Sequence, residues 1–153
     1  HGVHERYHPS RHNPYNEVEC GEHYARALAS WGVYTALAGY HYDGPDGHME
    51  FAPRVQQDDF RAAFTAARGW GLFQQQREGD TQRNRLDVRW GRLSLRSLAV
   101  PMPEGEGAPT VTVRAADENV RAICTPEDDT LHVDFARKLT LHEGDNLTVT
   151  IER

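Results

Sequence analysis

The sequence predicts an α+β chain, one long buried helix followed by a mainly antiparallel β segment of about eight strands. Three observations predict it. Asn13 to Ala38 (NPYNEVECGEHYARALASWGVYTALA) carries apolar residues at helical spacing, with no charged residue between Ala27 and Tyr40. From His48 onward, short runs of alternating apolar and polar residues recur between clusters of Gly, Pro, Asn and Asp. A hydrophobic period of 3.6 marks a helix and a period of 2 marks a strand, so the change of period locates the change of structure. The third observation is length: 153 residues suffice for one ordinary domain with its own core.

Taken in order, the chain opens on HGVHERYHPSRHNPYN, a loop by its two prolines and lack of periodicity. His1, His4, His8 and His12 would line one face of a helix, but Pro9 and Pro14 spoil that helix, and a metal site needs rigid ligands with supporting partners. No metal site and no cofactor are expected. In the helix, Tyr24, Ala27, Leu28, Trp31, Tyr34 and Ala38 form one face. A second stripe of small residues, Ala25, Ala29, Gly32 and Ala36, suits close approach of another helix. The helix is therefore expected to be buried on at least two sides, with Trp31 in the core.

Gly39 to Gly47 (GYHYDGPDG) stops the helix and reverses the chain. His48 to Ala52, Phe60 to Ala66 and Trp70 to Gln76 read as strands. They are followed by RLDVRW, RLSLRSLAV, TVTVRA, VRAIC, TLHVDFA, KLTL and NLTVTI. Strands this short at such regular spacing indicate an antiparallel sandwich or layered sheet. The expected division is residues 1–52, loop and helix, and residues 53–153, the β-rich segment. Asp58-Asp59 and Glu127 to Asp129 read as solvated turns, with calcium as the alternative that adjacent carboxylates invite.

Composition excludes several functions. A net charge of −6 is wrong for a nucleic-acid partner, which needs a basic face. No run approaches the roughly 18 apolar residues of a membrane span, and the N-terminus lacks the basic-then-apolar order of a signal peptide. Two cysteines, Cys20 and Cys124, make no disulfide framework, and a reducing, cytoplasmic setting is expected. The chain begins with His1, and a helix apolar on several sides needs more than a sandwich to cover it, so further helices are expected upstream.

The run NPYNEVECGEHYARALASWGVYTALAGYHYDGPDGHMEFAP, followed by FRAAFTAARGWGLFQQ, resembles the C-terminal end of the catalytic region of glycoside hydrolase family 116. That is the family of non-lysosomal glucosylceramidases and of bacterial and archaeal β-glucosidases. The resemblance lies in N-P-aromatic-x-E-x-E-C-G-x-H-Y-A-R, S-W-G, Y-x-G-P-x-G and F-A-P, and spans Arg11 to about Gln76. Tyr34 and Arg68 depart from the pattern, standing where an aliphatic residue and a glutamate are usual.

The resemblance implies that the helix closes an (α/α)6 barrel and that the parent is a retaining β-glycosidase. Such an enzyme sets two carboxyl groups about 5–5.5 Å apart, one attacking the anomeric carbon and one protonating the leaving oxygen. In the family both lie upstream of the matched stretch, so no catalytic residue is expected here and the chain alone should be inactive. Glu17 and Arg26 match positions that bind the hydroxyls of the glucose ring of a β-glucoside substrate, a carboxylate accepting and a guanidinium fork donating. Glu19 and His23 would support that pair or lie on the surface. On the residues alone, an ion pair at the helix entry is the favoured reading of Glu17 and Arg26, and a buried structural thiol that of Cys20. The alternative function is a non-catalytic β-module that binds carbohydrate or mediates assembly, with its ligand on a sheet face bearing Trp70, Phe73 and Trp90.

Overall fold

The computed structural model describes Glu5, Ser10, residues 27–116 and residues 118–153. The chain divides into two compact units, His1–Tyr34 and Thr35–Arg153. Among the described residues the elements are a helix α1 (Ala27–Ala38) and ten strands. The strands are β1 (His41–Asp43), β2 (His48–Glu50), β3 (Asp59–Ala66), β4 (Gly69–Glu78) and β5 (Thr81–Pro101), then β6 (Thr110–Ala115), β7 (Glu118–Asn119), β8 (Ala122–Glu127), β9 (Thr130–His142) and β10 (Asn146–Glu152). No helix among the described residues is long and apolar enough to cross a membrane.

This corrects the expected fold class. The structure is mostly β, and α1 is a 12-residue helix rather than a long buried one. Trp31, Val33 and Leu37 are 59 %, 61 % and 42 % exposed, while Ala38 is buried. A Cβ added at Gly32, in the expected small-residue stripe, would meet nothing within 4 Å. The physical reason is that α1 is apolar nearly all round. Absence of charge shows that a helix tolerates burial on any side but does not select a side. Its end follows local chemistry: Gly39 adopts φ +56° and the Tyr40 N–H donates to the Thr35 carbonyl at 3.0 Å. That six-to-one bond is the Schellman arrangement in which a glycine accepts the left-handed conformation.

The strands form two sheets that share β5. The first has the order β3-β4-β5-β10-β6-β7 and uses Thr81 to Gly91 of β5; the second has the order β1-β2-β5-β9-β8 and uses Arg92 to Pro101. All pairings are antiparallel except β2 with β5, where His48 to Glu50 run beside Ser97 to Ala99. The strand count exceeds the expected eight because His41 to Asp43 pair where turn residues suggested only a loop, and because Glu118–Asn119 form a short edge ladder. In the other direction, RLDVRW and RLSLRSLAV are one 21-residue strand, and TLHVDFA and KLTL are one 13-residue strand. Irregularities stood where breaks were expected. β5 passes through Gly91 at φ +74°, and between Leu95 and Ser97 one residue of β5 faces four of β9. Bulges of this kind bend a strand without ending it.

Alternation builds the core. Phe60, Ala62 and Phe64 of β3, Leu86 and Val88 of β5 and Leu147, Val149 and Ile151 of β10 are buried, as are Leu131 and Val133 of β9. Phe51, just after β2, joins the sheets: its amide donates to the Ala99 carbonyl and its ring stacks on Phe73 of β4 at 3.9 Å and 6°. One end of the interior is polar, with Gln75, Gln82 and Asn84 fully or almost fully buried. Gln82 donates to the Pro101 carbonyl and accepts from Arg77, and Gln75 donates to the Gln57 carbonyl, which offsets part of the cost of burying amides, while Gln75 Oε1 and Asn84 Nδ2 have no partner among the described residues.

Candidate functional site

Glu17, Arg26, Glu19 and His23 lie outside the described residues, as do Cys20 and the N-terminal histidines. Among the described residues, no group of three or more His, Cys, Asp and Glu converges as a metal site. The arrangement with the clearest chemistry is the outer face of the first sheet.

Trp70 of β4 and Trp90 of β5 are cross-strand partners, 48 % and 59 % exposed. The register shifts just beyond them, Gly71 pairing with Val88, so Arg89 is an extra residue on β5. A bulge raises local twist and re-aims the side chains beside it. Glycines make the approach possible. A Cβ at Gly71 would lie 2.0 Å from the Asp87 carbonyl oxygen and 2.7 Å from the Phe64 ring, and one at Gly69 would lie 2.6 Å from the Trp90 carbonyl oxygen. Neither tryptophan ring pairs with another ring among the described residues, and about half of each residue's surface is exposed.

Next to the tryptophans stands a fixed polar row. Asp87 is held by Arg85, whose Nε donates to Oδ1 at 2.8 Å, and by Gln74, whose Nε2 reaches Oδ2 at 3.3 Å. The Asp87 side chain is only 14 % exposed, and its register partners are Leu72 and Asn146. Aromatic faces beside oriented carboxylate, amide and guanidinium groups can stack on the C–H face of a sugar ring and exchange hydrogen bonds with its hydroxyls.

Phe73, grouped with the tryptophans on sequence, is on the other face: it is fully buried against Phe51. The signal that separates them was available. Residues three apart in a strand point to opposite faces, so Trp70 and Phe73 cannot share one. Trp31 is corrected too, being exposed and edge-on to Tyr34 rather than in a core. Motifs read as family marks have structural work in the described part: Phe51 of F-A-P anchors the core, and Gly69 and Gly71 flank Trp70. Cys124 of β8 is partly buried, and burial first, then the negative charge of Asp134, pushes its thiol above its ordinary value of 9.0. That is the reverse of what a nucleophilic cysteine needs.

No family model matches the sequence, and no curated protein matches it. Among solved structures, an α-L-rhamnosidase from Dictyoglumus thermophilum is similar over 76 % of this chain, at 11 % identity and a TM-score of 0.43. The chain spans 12 % of that protein's length. At this score the likeness carries no argument about fold or reaction. None of these comparisons returns glycoside hydrolase family 116.

Proposed function

We propose that this chain is a carbohydrate-recognising part of a retaining β-glycosidase of the β-glucosidase or glucosylceramidase type. The observation that carries the proposal is the run NPYNEVECGEHYAR, in which Glu17 and Arg26 would hold the glucose ring while carboxylates outside this chain perform the chemistry. The test is made in the intact parent enzyme. Truncating either residue removes charge-assisted hydrogen bonds of roughly 1.5–3 kcal/mol each, a loss of about 10- to 150-fold in kcat/KM. Arg26→Lys should recover only part of that loss, since an ammonium lacks the planar two-pronged donor. A lowered melting temperature in Glu17→Gln and Arg26→Lys, with kinetics per folded molecule unchanged, would make the two a structural ion pair and end the proposal.

A second reading is favoured by the exposed Trp70 and Trp90 pair: the β-rich part binds carbohydrate itself, on the outer face of the first sheet. The assay is affinity electrophoresis of the whole chain through gels containing soluble β-glucans. Loss of a central aromatic contact costs about 2 kcal/mol or more, so retardation should weaken about 30-fold in Trp70→Ala or Trp90→Ala. Wild-type mobility unaffected by every glucan tested would remove this reading.

A further inference from the structure

Where β5 leaves one sheet for the other there is a cavity of about 280 Å³ lined by Arg68, Arg92 and Lys138, with Tyr42 and Ser94 beside them. We propose that it binds a tetrahedral oxyanion, the phosphate or sulfate group of a small ligand. The inference is independent of the β-glycosidase reading.

Charge is the first argument. The chain carries a net charge of −6 and a single lysine, Lys138, yet that lysine and two arginines converge on one cavity. Among the described residues none of the three forms an ion pair or a side-chain hydrogen bond. Elsewhere Arg61 faces Asp59 and Arg85 faces Asp87. Like charges gathered without a counter-charge repel one another, only weakly at exposed positions such as these, and a bound anion would turn that repulsion into attraction.

Backbone geometry is the second argument, because two separate distortions bring the cations together. Arg68 and Arg92 are tied by a 3.0 Å bond from the Arg92 N–H to the Arg68 carbonyl, across the close approach at Gly91. Lys138 comes from the stretch of β9 where Phe135 to Lys138 face Arg96 alone. Each irregularity costs ladder hydrogen bonds, and bulges of this sort commonly serve to re-aim a side chain.

The chemistry of the lining selects the anion. Two guanidinium forks can each donate two parallel bonds to oxygens of one group, an ammonium adds a point charge, and the hydroxyls of Tyr42 and Ser94 can donate further. Three cations exceed what one carboxylate can neutralise and suit a phosphate or sulfate with three or four acceptor oxygens. The volume is near the lower end of the roughly 300–1,000 Å³ range of small-molecule pockets, enough for the anionic group and a small body attached to it.

The experiment titrates the full chain with inorganic phosphate, inorganic sulfate and acetate at constant ionic strength, reading the melting temperature and the heat of binding. Phosphate or sulfate should raise the melting temperature as a saturating ligand does, and whichever binds more tightly names the group. Arg92→Gln and Lys138→Gln should each raise Kd about tenfold, while Arg83→Gln, on an exposed arginine outside the cavity, should leave it unchanged. Lys138 is exposed and makes no side-chain bond, so Lys138→Gln keeps the test usable if Arg92→Gln disturbs folding. A response set by ionic strength alone, acetate as effective as phosphate and sulfate, or unchanged binding in Lys138→Gln would overturn the proposal.

Discussion

Replacing Phe51 by Ala tests whether one ring holds the two sheets together. The Phe51 side chain has no solvent exposure and stacks on Phe73 at 3.9 Å, with Phe64 edge-on at 6.5 Å and Tyr40 at 5.1 Å. Emptying a core phenylalanine site costs roughly 3–5 kcal/mol, from lost transfer energy and the cavity left behind. Ring pairs add about 0.5–1.5 kcal/mol beyond area burial, so the upper part of that range, about 4–5 kcal/mol, is expected. Against a typical total of about 5–15 kcal/mol, that is from about a quarter to nearly all of the stability of the fold. Urea unfolding of the full chain, followed by far-UV circular dichroism, is the assay. With a slope of about 1.5–2 kcal/mol/M the midpoint should fall by roughly 2–3 M. Phe51→Leu should recover more than half of the loss. A fall in Phe51→Ala worth less than about 1 kcal/mol, with the slope unchanged, would refute the idea that the sheets are joined through this ring.

Glycine substitutions should act with opposite signs at two positions. Gly71→Ala would press a Cβ to 2.0 Å from the Asp87 carbonyl oxygen and should cost about 1–3 kcal/mol or more, read by urea unfolding. Gly32→Ala, in open space on α1, should add roughly 0.5–1 kcal/mol to local helix stability, seen as helical signal persisting to higher temperature. Burial and the charge of Asp134 raise the Cys124 thiol, so in a Cys20→Ser background iodoacetamide should label it more slowly in the folded than in the unfolded chain, and Asp134→Asn should speed labelling. The sign follows from linkage: the folded state holds this proton more tightly, so stability from this group is present below the unfolded thiol value near 9.0 and declines as pH rises past it.

Features that depend on neighbours along the chain were legible in the residues. Alternation at Phe60 to Phe64 and at Leu147 to Ile151 was enough to make strands and to choose their inner face, because the period of 2 is local. Gly39 was enough to end α1, because the left-handed turn needs only that residue and its neighbours. Polar residues on inner faces, Gln75, Gln82 and Asn84, were not legible as core, since their burial depends on partners such as Gln57 and the Pro101 carbonyl that lie elsewhere in sequence. The folded arrangement settled what depends on register between distant segments. It carried β5 through Gly91 instead of breaking it, set Trp70 opposite Trp90, and gathered Arg68, Arg92 and Lys138 at one cavity. Pairing register follows from which strands meet and where a bulge inserts an extra residue, and a local pattern does not encode it. The same reason separates the two sugar readings: Glu17 and Arg26 rest on a contiguous motif, whereas the Trp70 and Trp90 face exists only once β4 and β5 have paired.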